Sequence, residues 1–437
     1  MTKRQLGARL IPLAITLLIV GCGDLFGEGS NRSPSSQGFV GVADTPTPTG
    51  VRDKIVYVSN DFDVYTISSD GTGVEAVTPG DLLYTWPVWT RYGDKVALSS
   101  FSENPTGSKR VFSLAVVPEH SSRDAELDLV FENEANSTSA IALTIPHYLA
   151  WSPDGTKLAF LTMAAEGLSL YIVKPSAPEN AQFVTAGTPL YFSWSSDSES
   201  LLVHKDGELL RVDLDAHERL LPLGATSKGY RTPAWSPTGD NIAFISDTGE
   251  AKTLYFARFD ASKRQDLAQI DGMASFVWSP LGDKLAVGQS YDDTDPFLKD
   301  ISIIDISSGQ SSKVFEGSVI SFFWSPDATK MAFVTTSDDG NGLQWRVIDI
   351  SSGSIVPLVD FYPSSDQLMF LTFFDQYAVS NNLWSPDSES LVFAGKLVNG
   401  AESIEENSLN KIFILDANGS REPRILAFGR LASWSWN

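Results

Sequence analysis

The stretch Trp151-Ser152-Pro153-Asp154-Gly155-Thr156-Lys157-Leu158-Ala159-Phe160 recurs along the chain, and that recurrence constrains the fold more than any other feature. Versions begin at Trp89, Trp194, Trp235, Trp278, Trp324 and Trp384, and a truncated one ends the sequence at Trp436, in Ser433-Trp434-Ser435-Trp436-Asn437. Spacings of about forty to about sixty residues suit one four-stranded β unit per repeat rather than the helix pair of a solenoid.

The motif has a physical meaning. Ser, Pro and Gly at the first, second and fourth turn positions are the preferences of a type I β-turn. Pro presets φ, and Gly relieves the backbone where the next strand begins. After the turn, Leu158-Ala159-Phe160, Ile242-Ala243-Phe244, Leu285-Ala286-Val287 and Met331-Ala332-Phe333 set a small residue between two large ones, a period-two strand pattern with one closely packed face. Each copy therefore predicts a β-hairpin whose Trp packs between neighbouring units, burying roughly 150–250 Å².

Four strands per unit can be placed from Lys54 onward, the Trp-ending strand being the first and the Leu-Ala-Phe strand the second. Third strands follow at 169–173, 209–213, 254–258, 301–305 and 411–415, and short edge-like fourth strands at 354–359 and 424–427. The opening unit has only its second to fourth strands, at 54–58, 64–67 and 74–77, and the last segment, 431–436, supplies the missing first. The predicted fold is an all-β propeller of four-stranded antiparallel blades over 54–437, its ring closed by N- and C-terminal strands sharing one blade. The count is eight blades, or seven if one wide interval is not a full blade.

Residues 1–9 carry Lys3, Arg4 and Arg9 without an acid, and the apolar run 10–20 is too short to span a membrane as a mature helix. Residues 1–21 read as a signal peptide. The run closes on Ile19-Val20-Gly21-Cys22, and Cys22 is the chain's one cysteine. This resembles the bacterial lipobox, which implies lipidation of Cys22 after cleavage and, since each buried CH₂ contributes about 0.8 kcal/mol, stable membrane anchoring. Residues 22–53, rich in Gly, Ser, Pro and Thr, read as a flexible linker with a reach on the order of 30 Å.

The repeat resembles the TolB-like, or WD-repeat-like, β-propeller family, whose blades carry Trp-Ser-Pro-Asp-Gly-x-x-Leu/Ile-Ala-Phe, and the resemblance covers Lys54 to Asn437. It implies a fold more than a function, because such repeats also build the propeller portions of prolyl-oligopeptidase-type and dipeptidyl-peptidase-type enzymes. Departures occur at Thr90-Arg91-Tyr92-Gly93, at Ser195-Ser196-Asp197-Ser198, and at Ala328 and Ser388 in place of Gly. They are expected to weaken single turns.

Because blade strands alternate in direction, the long segments 101–109, 132–144, 290–299, 361–380 and 396–409 all fall on one face, where a rigid scaffold carries binding residues. The segment 361–377 is crowded with aromatics and predicts a helix over 366–376 capped by Ser365 or Ser364. Its aromatics either cover the channel mouth as core or form a partner surface of Phe361, Tyr362, Phe370, Phe373, Phe374 and Tyr377. Asp292, Asp293 and Asp295 join the candidate surface, and Asp338, Asp339, Glu402, Glu405 and Glu406 lie in loops of the same face.

The formal net charge is −22, near −25 once the three positives of the signal peptide are removed, which disfavours nucleic acid as a partner. A basic peptide or Ca²⁺ would suit the acidic loops, but no run has EF-hand spacing and no cofactor is expected. A Gly-x-Ser-x-Gly elbow, a phosphate loop and paired His spacing are all missing, and His120, His147, His204 and His217 read as structural or surface residues. The sequence thus points to a lipid-anchored, exported, cell-envelope binding or scaffolding module for a protein, peptide or glycan. The alternative is an envelope enzyme, resembling polysaccharide lyases or peptidases, acting at the channel mouth.

Overall fold

The computed structural model describes residues 53–103, 109–118, 127–136, 146–164, 167–214, 220–227, 232–292, 295, 297–398 and 409–436. Cys22, the leader and nearly all of the linker, Asp293, His120, His217 and Glu402, Glu405 and Glu406 lie outside these residues.

The described residues are all-β, built mostly of antiparallel four-stranded sheets, with two short helical segments among them. The Trp151 quartet is typical: strands His147–Trp151, Leu158–Ala164, Gly167–Lys174 and Ala177–Ala186 pair in chain order. The Trp89, Trp194 and Trp235 quartets repeat it as separate sheets. The remaining strands join into one thirteen-stranded sheet, because Ser311–Trp324 and Arg424–Trp434 each serve as the outer strand of one quartet and the inner strand of the next, and Ile355–Pro363 pairs with Ser390–Leu397 between them. Gly429 marks the crossing in the second, where a Cβ would meet the Val58 carbonyl oxygen at 2.5 Å.

The termini share a quartet as the sequence implies. Lys54–Ser59 pairs with Val64–Ser68 on one side and with Arg424–Trp434 on the other, in a register that sets Ile55 opposite Trp434. The repeat tryptophan of this quartet is Trp434, followed by the motif's Ser435; Trp436 lies beyond the strand. In the Trp384 quartet the first strand shrinks to a bridge between Trp384 and Leu391.

Leu158, Ala159 and Phe160 are all fully buried. Both faces of each second strand therefore pack against neighbouring quartets, where the residue pattern predicted one. The tryptophans add a directed bond. The indole N–H of Trp151 donates to the Val88 carbonyl at 3.2 Å, that of Trp194 to Ala150 at 3.0 Å, Trp278 to Ala234 at 3.3 Å, Trp324 to Val277 at 3.2 Å and Trp384 to Phe323 at 3.1 Å. Each acceptor stands immediately before the previous quartet's Trp. Trp89 extends the series across the chain ends, donating to Ser433 at 3.4 Å, while the Trp434 indole donates to the Asp53 carboxylate at 2.8 Å. Trp235 departs, turning its indole to Gly239 while its backbone N–H donates to the Ser193 hydroxyl at 3.0 Å. A buried indole N–H without a partner costs more than a made bond gains, so these links favour one blade spacing.

The turns follow the residue preferences. Gly155 takes φ +67°, and Asp154 accepts from Ser152 at 2.5 Å and from the Thr156 N–H at 3.0 Å. Ser198, Ala328 and Ser388 adopt the same left-handed conformation at φ +66°, +59° and +63°. Two of these departures strengthen the assembly instead of weakening it. Ser198 accepts from the Asp154 N–H at 3.0 Å, and Lys157 Nζ donates to the Ser198 carbonyl and to Glu199. Ser388, Asp327, Lys330 and Glu389 repeat the arrangement. A hydroxyl at the strained position thus ties two quartets together, a contact glycine cannot make.

Candidate functional site

Residue 364 opens the helical insert. Ser364 caps helix α1 (Ser365–Thr372) by accepting from the Gln367 N–H, while its own hydroxyl donates to the Arg430 carbonyl. The helix ends sooner than predicted, because Phe373 leaves helical geometry at φ −114°, ψ 36°, and a single turn, α2 (Phe374–Tyr377), follows. Arg430 holds α1 to the C-terminal strand: its guanidinium meets Asp366 at 2.5 and 3.0 Å, reaches Ser365 at 3.1 Å, and lies over the Phe62 ring at 4.0 Å.

The insert meets the first strands of most quartets, and the contacts obey one register. The residue three before each repeat Trp is Trp86, Tyr148, Tyr191, Thr232, Ser275, Ser321, Asn381 or Leu431. Trp86 stacks on Tyr377 at 5.0 Å with ring planes 10° apart, and Tyr148 meets the same ring edge-on at 5.9 Å. Both occupy irregularities of their strands with φ +51° and +46°, a conformation costly for aromatic residues and found where surrounding contacts enforce it. The Tyr148 hydroxyl donates to the Phe192 carbonyl at 2.6 Å. On the opposite side, the Thr232 and Ser275 side chains lie beside the Asp375 carboxyl. Asn381 donates to the Pro87 carbonyl at 3.1 Å. The insert is thus a plug where the first strands converge, with an aromatic half around Tyr377 and a hydroxyl half around Asp375.

This arrangement corrects the candidate surface. Phe361, Phe370, Phe374 and Tyr377 are buried and cannot present an open face. Phe361 packs on Trp345 and Phe393, Phe370 on Phe323, and Phe374 on Phe322 and Phe323. Phe373 is half-buried, and Tyr362, 47% exposed, is the one aromatic of the six on the surface. Their apolar area and the plug's position account for this: the segment fills the interior where first strands leave a gap.

Burial disfavours the charged forms of the buried groups. It raises the Asp375 carboxyl, against the lowering effect of the Ser275 and Thr232 side chains. It also raises the Tyr148 and Tyr377 hydroxyls, with the Asp375 charge adding to the effect at Tyr148. The Asp375 carboxyl is buried, although the residue as a whole is half-buried. Since a first strand runs from the long-loop end to its Trp, a group meeting Thr232 and Ser275 lies near that end.

The acidic loops are less open than their residues suggest. Asp292 is exposed, but Asp295 pairs with Lys299 at 2.6 Å and accepts from the Phe297 N–H at 3.0 Å. Those bonds outweigh burial and hold its carboxyl below the usual range. Asp338 pairs with Arg346 at 2.8 Å, and Asp339 accepts from Ser337 and Asn341. Among the described residues no three His, Cys, Asp or Glu side chains are placed to hold a metal ion, so the Ca²⁺ expectation gains no support there. His204 is buried and stacks on Tyr191. Sequence reasoning missed Asp375 and the axial register. Aligning the residue three before each Trp exposes both.

No protein-family model matches the chain, and no curated protein does. Solved structures do. Dihydro-heme d1 dehydrogenase NirN is 14% identical, with a TM-score of 0.54, over 87% of this chain and 75% of that one. Oligogalacturonate lyase in complex with manganese is 15% identical, with a TM-score of 0.50, over 83% of this chain and 95% of that one. TolB from Acinetobacter baumannii is 15% identical, with a TM-score of 0.40, over 78% and 83%. At such identities the likeness is one of fold. The described part of the chain has an all-β, propeller-like fold of the kind its repeats imply.

Proposed function

We propose that this chain is a lipid-anchored, exported binding platform of the cell envelope: an eight-bladed ring closed by its terminal strands and held from Cys22 by a flexible linker. Eight quartets follow from the eight repeat tryptophans counting Trp434, and the Trp89 bond to Ser433 supports closure. The TolB likeness agrees with export, and the anchor rests on the lipobox resemblance. Its partner is a protein, peptide or glycan held over the long-loop face.

The observation that carries this reading is the plug itself. It fills the axis with buried aromatics and sets one buried carboxyl, Asp375, toward the long-loop end. A blocked axis suits recognition at a rigid mouth more than passage through a channel. The acidic balance of the chain favours a basic partner.

The test is cross-linking and capture from intact cells, comparing the native chain with Tyr362→Ala and with Asp375→Asn. Capture that depends on either residue supports a platform at this face. Capture by neither protein, together with turnover of oligogalacturonate or peptide substrates, overturns it in favour of an enzyme. For the anchor, Cys22→Ser should move the protein out of the membrane fraction without unfolding it; retention there refutes the lipid.

A further inference from the structure

Three Asn-Gly pairs stand in the chain, at 341–342, 399–400 and 418–419, and the first and last lie among the described residues. An asparagine before glycine is chemically labile, because glycine has no Cβ to obstruct the approach of its amide nitrogen to the preceding side-chain carbonyl carbon. As dipeptides the two described pairs are equivalent. Their surroundings separate them.

Asn418 is tied at both reacting groups. The Gly419 N–H donates to the Asp416 carbonyl at 3.0 Å, and the Asn418 side-chain carbonyl accepts from the Ser420 N–H at 2.8 Å. The Asp416 carboxylate clamps the same turn, accepting from the Ser420 N–H at 3.0 Å and from its hydroxyl at 2.5 Å. Bringing nitrogen and carbon together there means breaking two hydrogen bonds first. Asn341 is tied elsewhere. Its backbone N–H and its Nδ2 each donate to the Asp339 carboxylate at 2.9 Å, both at the surface. Its side-chain carbonyl and the Gly342 N–H enter no hydrogen bond among the described residues, and Asn341 is exposed to water.

We propose that Asn341 is a site of spontaneous deamidation, a covalent modification whose one co-reactant is water, and that the turn around Asn418 withholds the same dipeptide from it. The Gly342 nitrogen attacks Asn341 Cγ and loses its proton to solvent; a C–N bond forms, and the carboxamide nitrogen leaves as ammonia with a proton from water. Water then opens the five-membered imide at either carbonyl, giving aspartate or isoaspartate with nothing oxidised or reduced. The product replaces the Nδ2 donor by a negative charge beside the Asp339 carboxylate, so the clasp across the turn becomes a repulsion. The change falls in the loop between strands Lys330–Thr336 and Leu343–Asp349, on the long-loop face, and it does not depend on the platform reading.

The experiment incubates the full chain under mildly alkaline conditions in ¹⁸O-labelled water, folded and in guanidinium chloride, and follows the peptides holding Asn341 and Asn418 by mass spectrometry. Labelling with an isoaspartyl methyltransferase identifies the product. In the folded chain Asn341 should convert at least about tenfold faster than Asn418, whose turn must open first. In denaturant the two should convert at comparable rates. Asn341→Gln, whose longer side chain would have to close a larger ring, should remove the isoaspartate signal from its peptide. No conversion of Asn341 in the folded chain, equal rates at the two sites, or a signal that survives Asn341→Gln overturns the proposal. A contrast that persists in denaturant also overturns it, since local sequence and not the fold would then set the difference.

Discussion

Trp86 and Tyr377 stack at 5.0 Å with ring planes 10° apart, joining an inner strand near the N-terminus to a helical turn nearly three hundred residues later. Trp86 holds a left-handed backbone to make this contact, at φ +51°. Its geometry and the plug's position are coupled: the strained strand irregularity persists because the Tyr377 ring receives it.

Tyr377→Ala should therefore cost about 3–5 kcal/mol, as for large aromatic truncations in cores. The loss removes the stack on Trp86 and the edge contact with Tyr148. Chemical denaturation should show a lower midpoint, and near-ultraviolet circular dichroism should report a changed Trp86 environment. An unchanged midpoint would show that the plug does not support the first strands.

Arg430 and Asp366 form a two-pronged pair, each side chain under one-fifth exposed. A double-mutant cycle of Arg430→Ala and Asp366→Ala should give a coupling of about 1–3 kcal/mol, within the range for contacting residues. A coupling near zero would mean that α1 is held by its apolar face alone.

Ala328 occupies a glycine position at φ +59° with no hydroxyl to compensate. Ala328→Gly should stabilise the chain by about 0.5–1 kcal/mol, the left-handed penalty less the added freedom of the unfolded chain. Ser388→Gly relieves the same strain but loses the bond from the Asp327 N–H, so its midpoint should stay level or fall. A matching gain at both sites would remove the inter-blade role assigned to Ser388.

Acid should unfold the protein in a defined window. Burial alone would raise the Asp154, Asp197 and Asp327 carboxyls, but the Ser and backbone donors of their turns outweigh it and hold all three low. Serine bonds push Asp305 and Asp349 down to about 2. A carboxyl lowered on folding adds stability above its unfolded value of about 3.9 and loses it as pH falls through the folded value. Melting temperature should thus decline between about pH 4 and 2. Asp375 has the opposite sign: raised on folding, its charge costs stability at neutral pH, so Asp375→Asn should melt higher there, with the advantage shrinking as acid protonates the native carboxyl.

Much of the architecture was legible because turn chemistry is local. Ser-Pro-Asp-Gly dictates a turn wherever it stands, and Leu-Ala-Phe a buried strand. The pairing of terminal strands followed from a missing first strand at one end and a surplus one at the other. The plug was harder to read. Aromatics at 361–377 suit a core or a surface equally well, and burial depends on strands hundreds of residues away. Its helix was overextended because no Gly or Pro marks Phe373, where packing on neighbouring quartets, not propensity, ends the helix. Trp436 was taken for Trp434 because both follow a Ser, and register alone separates them. The hydroxyl half of the axis was visible residue by residue but has meaning only once Thr232, Ser275 and Ser321 are aligned on their tryptophans.

Lys54–Ser59 is an inner strand, hydrogen-bonded along both edges. A pull on the chain just before it would load those two ladders in shear, all bonds bearing at once, instead of unzipping an edge one bond at a time. The strand by which the chain enters the described domain is in this sense mechanically firmer than an edge strand there would be.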